Sequence, residues 1–226
     1  MGNISPISQH SESYWSIPNV WYRGKWLTVE LRDSLLPEMT QAQAGAYIRA
    51  NPDGFVTREL PMYFAIFRSL EQQRTQPDVS APLAFIRKSI RIDWLQTLTA
   101  IDYLPKDEKD VVTHGIGTEK PHQKKVDVVG PNRQITQEDS ACLEALVGTG
   151  NVGTVNRVLT FINSAPVYLW RLNSKPFEVY GCVARLYADA DGSYLDCKEN
   201  PQLALSSLGV REGVLEERVA KPKKTA

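Results

Sequence analysis

Residues 135–163, ITQEDSACLEALVGTGNVGTVNRVLTFIN, restrict the fold more than any other stretch of the chain. Gly148, Gly150 and Gly153 separate two runs rich in Leu and Val. A strand before these glycines would make a phosphate-cradling turn, with a pyrophosphate at the start of the next helix. A helix before them would make two helices joined by a turn. A buried parallel strand reads as a continuous β-branched run. Residues 136–147 open instead with Thr-Gln-Glu-Asp, an N-cap residue followed by acids that complement a helix dipole. Leu143, Leu146 and Val147 then recur at helical spacing. The sequence therefore predicts a helix over 136–147. A nucleotide-dependent enzyme using Gly148, Gly150 and Gly153 is the alternative that a strand here would revive. The acid that such a site needs after the next strand is absent, because that stretch ends Arg171-Leu172-Asn173-Ser174.

With helices on both sides, Thr154 is the expected cap of the second one, and Asn156, Arg157 and Thr160 are its expected outward polar residues. Such side chains suit phosphates or base edges. A strand and a hairpin follow. This arrangement resembles winged helix-turn-helix proteins over about sixty residues, and the resemblance implies DNA binding through these four positions. Two core helices around a Gly loop are the plainer reading of the same residues.

Charge bears on that choice. Lys+Arg and Asp+Glu both number 26, so the formal net charge is zero. Dedicated nucleic-acid binders usually carry a basic excess, because phosphate neutralisation supplies much of their affinity. Zero charge also gives little colloidal repulsion, which suits a protein working inside an assembly.

The N-terminal residues 1–25 read as a polar arm leading into an aromatic anchor, with Tyr14, Trp15, Trp21 and Tyr22 as candidate interface residues. A first strand lying on the core is the other reading of these aromatics. Residues 26–104 read as mainly helical. WLTVEL is a short strand, Thr40 caps a helix, and 62–73 form an amphipathic helix. The clearest helical stripe is Leu83, Ile86, Ile90, Trp94, Leu98 and Ile101, which predicts one helix over about 83–104. Residues 105–134 are polar and long for a loop. They are expected to be an extended loop or linker, ordered by contacts outside their own domain, with a small hairpin from 110–113 and 126–129. Residues 135–215 read as a mixed α/β domain. Its strands fall at 166–172 and 177–187, and Asp191-Gly192 marks a hairpin. Residues 216–226 are a polar tail. The expected fold class is α+β, with a helical N-terminal half and a β-rich C-terminal half joined by the long polar segment.

Chemistry-bearing motifs are sparse. Cys142, Cys182 and Cys197 contain no CxxC pair and do not form a disulfide framework, so a reducing compartment is expected. His114 and His122, with Asp110 and Glu119 nearby, would approach a metal site only if their segment folds. Asp189-x-Asp191-Gly192 fails the EF-hand register, because the twelfth position is Lys198. Pro6 replaces the Ser or Thr favoured in myristoylated termini, and no apolar run is long enough to span a bilayer. No catalytic set, cofactor or metal is expected. The expected function is that of a non-enzymatic assembly subunit, intracellular or within a particle such as a virion. Its expected partners are other protein subunits, in a homo- or hetero-oligomer. Nucleic acid is the alternative partner, and no membrane is involved.

Overall fold

The computed structural model describes residues 8–10, 13–106 and 108–215. The tail 216–226 and most of the N-terminal arm lie outside the described residues. The chain enters through β1 (Ser8–His10), β2 (Tyr14–Tyr22) and β3 (Lys25–Met39). Three helices follow: α1 (Gln41–Ala50), α2 (Leu60–Gln72) and α3 (Ser80–Ile92). Next come β4 (Leu95–Tyr103), β5 (Asp110–His114), β6 (His122–Val126) and β7 (Arg133–Gln134). Helices α4 (Ser140–Val147) and α5 (Val152–Asn163) precede β8 (Val167–Trp170), β9 (Tyr180–Ala188), β10 (Ser193–Glu199) and β11 (Leu205–Leu215).

Two sheets result. One has the order β1-β2-β3-β11, and the other β6-β5-β4-β9-β10-β8-β7. The first is held to the core by alternation. Trp15 pairs with Leu31, Ile17 with Val29 and Val20 with Leu27, and all six side chains are buried. Against this face lies α2, where Ser69 Oγ and, at the cap just past the helix, Gln73 Nε2 both donate to the Pro18 carbonyl. A helix apolar on all sides must be buried, and α2 buries every residue except Pro61, Arg68 and Gln72. The accessible positions 61, 68 and 72 fall on one helical stripe.

The expected fold class needs correction. Strands are distributed along the whole chain, and β11, from the C-terminal end, pairs with β3 in the N-terminal sheet. The polar segment does not act as a connector between halves. Its β5 pairs with both β4 and β6, so the segment adds a hairpin to the larger sheet, with its second strand at His122–Val126 rather than the expected 126–129. Its polar residues are used internally. Asp110 is buried, accepting from Leu104 N, Val128 N and Lys175 Nζ. The expected helix over 83–104 also divides. It ends at Ile92, and Trp94, Leu98 and Ile101 belong to the loop and strand that follow. Leu95 to Thr99 are buried without a break. In a strand covered on both faces, apolar spacing no longer distinguishes strand from helix. Among the described residues no helix is long and apolar enough to cross a membrane.

Candidate functional site

The side of α2 that carries Pro61 and Arg68 forms the floor of a cleft of about 440 Å³. Pro61, Phe64, Ala65 and Arg68 line it at helical spacing. From Pro61 to Arg68 the helix rises by about 10 Å. The tip of the β2–β3 hairpin, Trp21 to Gly24, is one wall, and the end of α4 with Gly148 and Thr149 is the other. His114, His122 and Lys124 come from β5 and β6. The volume falls in the range of small-molecule sites.

The hairpin tip is held in an unusual conformation. Tyr22 pairs with Lys25, leaving a two-residue turn in which Arg23 has φ 46° and Gly24 φ 78°. Two positive φ values define the turn that matches strand twist, and its first position favours Asn, Asp or Gly. Arg in that position carries backbone strain, which tends to concentrate at functional positions. Its side chain explains the placement in part. Arg23 lies 3.1 Å from the carboxylate of buried Glu59, which also accepts from the Tyr22 hydroxyl. Burial, then the Glu59 charge, pushes the Tyr22 hydroxyl pKa up, so Tyr22 remains a protonated donor.

His114 is fixed at the back of the cleft. Its Nε2 donates to the Ala145 carbonyl at 2.7 Å, and its Nδ1 accepts from the Thr99 hydroxyl at 2.9 Å. The Thr99 oxygen in turn accepts from Leu60 N at the start of α2. Burial lowers the His114 pKa, and both nitrogens are engaged by the neutral ring. His114 is thus a brace joining β4, β5, α2 and α4.

Arg68 differs from these groups. Its side chain has no hydrogen bond or ion pair to any described residue, and its Nε is buried without a partner. Arg68 and Trp21 line both this cleft and a neighbouring cavity of about 270 Å³. Trp21 is 46% exposed and leans on Trp26, with ring centroids 5.0 Å apart. A guanidinium presents a planar fork of donors matched to carboxylate and phosphate oxygens. The cleft therefore joins an unused anion-binding group to aromatic walls. No motif in the sequence marks Arg68. The signal available was a single Arg within the apolar run of α2.

The sequence-derived candidates are placed differently. Tyr14 and Trp15 are buried in the chain's own core, with Trp15 against Phe85. Trp21 and Tyr22 belong to the cleft. The cap of α5 is Asn151, which accepts from Thr154 N, rather than Thr154 itself. Asn156, Arg157 and Thr160 line an open depression, where Arg157 lies 3.3 Å from Glu71. The β9–β10 hairpin after α5 lies inside the larger sheet instead of projecting as a wing. Gly148 caps α4 in the left-handed conformation, and Gly150 packs on Ser140, whose hydroxyl donates to its carbonyl. Gly153 lies in the first turn of α5. A helix, not a strand, precedes these glycines. Among the described residues no three His, Cys, Asp or Glu side chains gather as metal ligands. Asp189 accepts from Asp191 N and Gly192 N and shapes the hairpin turn. Comparisons with models of protein families, with curated proteins and with solved structures each found no match.

Proposed function

We propose that this chain is a non-enzymatic binding protein whose α2 cleft takes an anionic ligand bearing a flat ring, of the chemical class of a nucleotide. The observation that carries this reading is Arg68, a half-buried guanidinium with no partner among the described residues, in an aromatic cleft. A buried Nε without an acceptor is costly until an acceptor arrives. The anion would seat on Arg68 and the ring against Trp21. Calorimetric titration of the whole chain with a mononucleotide and with pyrophosphate tests this. Saturable binding is expected, weakened roughly 10- to 100-fold by Arg68→Ala, the range for a charge-assisted hydrogen bond. Binding that is absent, or unchanged in Arg68→Ala, overturns it.

A role as an assembly subunit has one observation in its favour. Phe177 is fully exposed, and Val179 and Tyr180 beside it are largely exposed, at the start of β9. Exposed apolar groups that lie together mark contact surfaces. Native mass at micromolar concentration, compared with that of Phe177→Ser, tests this second reading. A monomer in both cases removes its support.

A further inference from the structure

The cleft does not end at the hairpin. Tyr22 and Arg23 also line a second, larger cavity of about 910 Å³ on their other side. These two residues, both held by Glu59, form a ridge between the two spaces. The second cavity is bordered by α1, by the loop after β5 and by the hairpin strands. Together the two cavities are lined by seven Lys or Arg side chains against four Asp or Glu, an excess of three in a chain of zero net charge.

The pairing of these charges sharpens the contrast. Glu59 is engaged by Arg23 and Tyr22, Glu212 by Arg58, and Glu144 by Lys124. Lys25, Arg49, Lys120 and Arg68 have no carboxylate partner among the described residues, while Glu119 alone of the four acids is unpaired there. Arg49 is aimed by its bond to the Gly117 carbonyl at 2.9 Å. Unpaired cations thus stand in both cavities, and the exposed Trp21 stands beside the ridge. A track of cations interleaved with aromatic rings is how proteins hold single-stranded nucleic acid, with phosphates on the cations and bases on the rings. A folded duplex offers no unstacked base to Trp21.

We infer that the ligand is single-stranded nucleic acid, running from Arg68 past Trp21 and over the Tyr22–Arg23 ridge into the second cavity. The inference rests on the proposed anion cleft and extends it from one nucleotide to several. It concerns a local basic track, and so is compatible with a chain that is neutral overall. It also uses none of Asn156, Arg157 and Thr160 on α5, which do not line either cavity.

Fluorescence anisotropy with an oligothymidine of about eight nucleotides, within the usual span of single-strand sites, tests it against thymidine monophosphate and a duplex of equal length. The single strand is expected to bind at least about 10-fold more tightly than the mononucleotide, with a salt slope that falls by about 0.7 for each phosphate contact removed. Lys25→Ala/Lys120→Ala, both at exposed positions, should weaken the oligonucleotide and flatten its slope, and leave the mononucleotide unchanged. Arg68→Ala should weaken both. If the mononucleotide binds through Arg68 but the oligonucleotide gains nothing, the track is wrong and the anion cleft stands. An oligonucleotide indifferent to Lys25→Ala/Lys120→Ala, or a duplex that binds equally well, also overturns the track. If neither ligand binds, both proposals fall.

Discussion

Arg171 and Asp139 meet at 2.6 Å with both side chains almost wholly buried, although 32 residues separate them in the chain. Asp139 has two roles at once. One oxygen takes the Arg171 guanidinium, and the other accepts from Thr136 N and the Thr136 hydroxyl at the start of the turn that leads into α4. The pair therefore ties the entrance of α4 to the end of β8.

Removing one member leaves the other charge buried. Arg171→Met is expected to cost about 3–5 kcal/mol, measured by urea unfolding. Arg171→Met/Asp139→Asn should lose less than the sum of its two single variants, because the stranded charge is gone. Burial acts to raise the Asp139 pKa, but the Thr136 backbone N–H and Arg171 outweigh it and hold the carboxyl below its ordinary 3.8. Its stabilisation is then complete above that value and lost as pH falls through the lowered one. The acid limb of the stability profile should be shallower in Arg171→Met. A cost under about 1 kcal/mol would show that the pair contributes no more than a surface bridge.

His114 predicts a second pH dependence at a higher window. Its pKa is lowered by burial, so the unfolded chain takes up the proton first. Stability is expected to be full above about 6.5, the ordinary histidine value, and to decline as pH falls from there towards the lowered folded value. Urea midpoints at about pH 7.5 and 5.5, on either side of that value, check this. His114→Gln should be less stable at both and show a smaller difference between them. Equal slopes in wild type and variant would assign the loss to other groups.

Local chemistry was legible in the sequence where it decides the structure by itself. The acid-rich start after Thr136, the Thr40 cap, the β9–β10 hairpin region and the α4–Gly–α5 order follow from neighbouring residues. The Thr40 hydroxyl accepts from Gln43 N, as a cap requires. What was not legible depends on distant pairing. Polar character made 105–134 look like a linker, because nothing nearby shows that buried Asp110 will collect Lys175 from 65 residues away. The β4 segment looked helical because burial on both faces erases its period. The cleft was hidden for the same reason. Trp21 and Tyr22 were visible as aromatics, but Arg68 joins them only because α2 lies across the β2–β3 sheet.

The cysteines should be inert in the folded chain. All three are buried. Burial pushes the Cys142 and Cys182 thiols up to about 12 and Cys197 well above its ordinary 9.0. The thiolate is the reactive form. A colorimetric thiol reagent at neutral pH should label none rapidly in native protein and all three after unfolding in urea. A fast-reacting thiol in native protein would show that the core around α4, β9 and β10 opens more readily than its packing implies.

The contact between Gly45 and Gly117 supplies the last prediction, on the boundary of the second cavity. Gly117 has φ 82°, and a Cβ placed there would fall 2.3 Å from Gly45 Cα, a backbone atom of α1. The reverse change is gentler, since a Cβ on Gly45 would meet Gly117 Cα at 3.0 Å. Gly117→Ala has two costs. The left-handed backbone alone is worth about 1–2 kcal/mol for a residue with a side chain, and the clash forces the loop off α1. Because the Gly117 carbonyl accepts from Arg49, that movement also releases Arg49. Gly117→Ala is therefore expected to lose more than about 2 kcal/mol in urea unfolding, at the upper end of single-site effects, and Gly45→Ala to lose less. Amide hydrogen exchange should then quicken at Gly115 and Thr118, whose N–H groups bond to Leu98 and Gly115 carbonyls. If Gly117→Ala is as stable as wild type, the loop does not pack on α1 in this way, and Arg49 is not held at the edge of the second cavity.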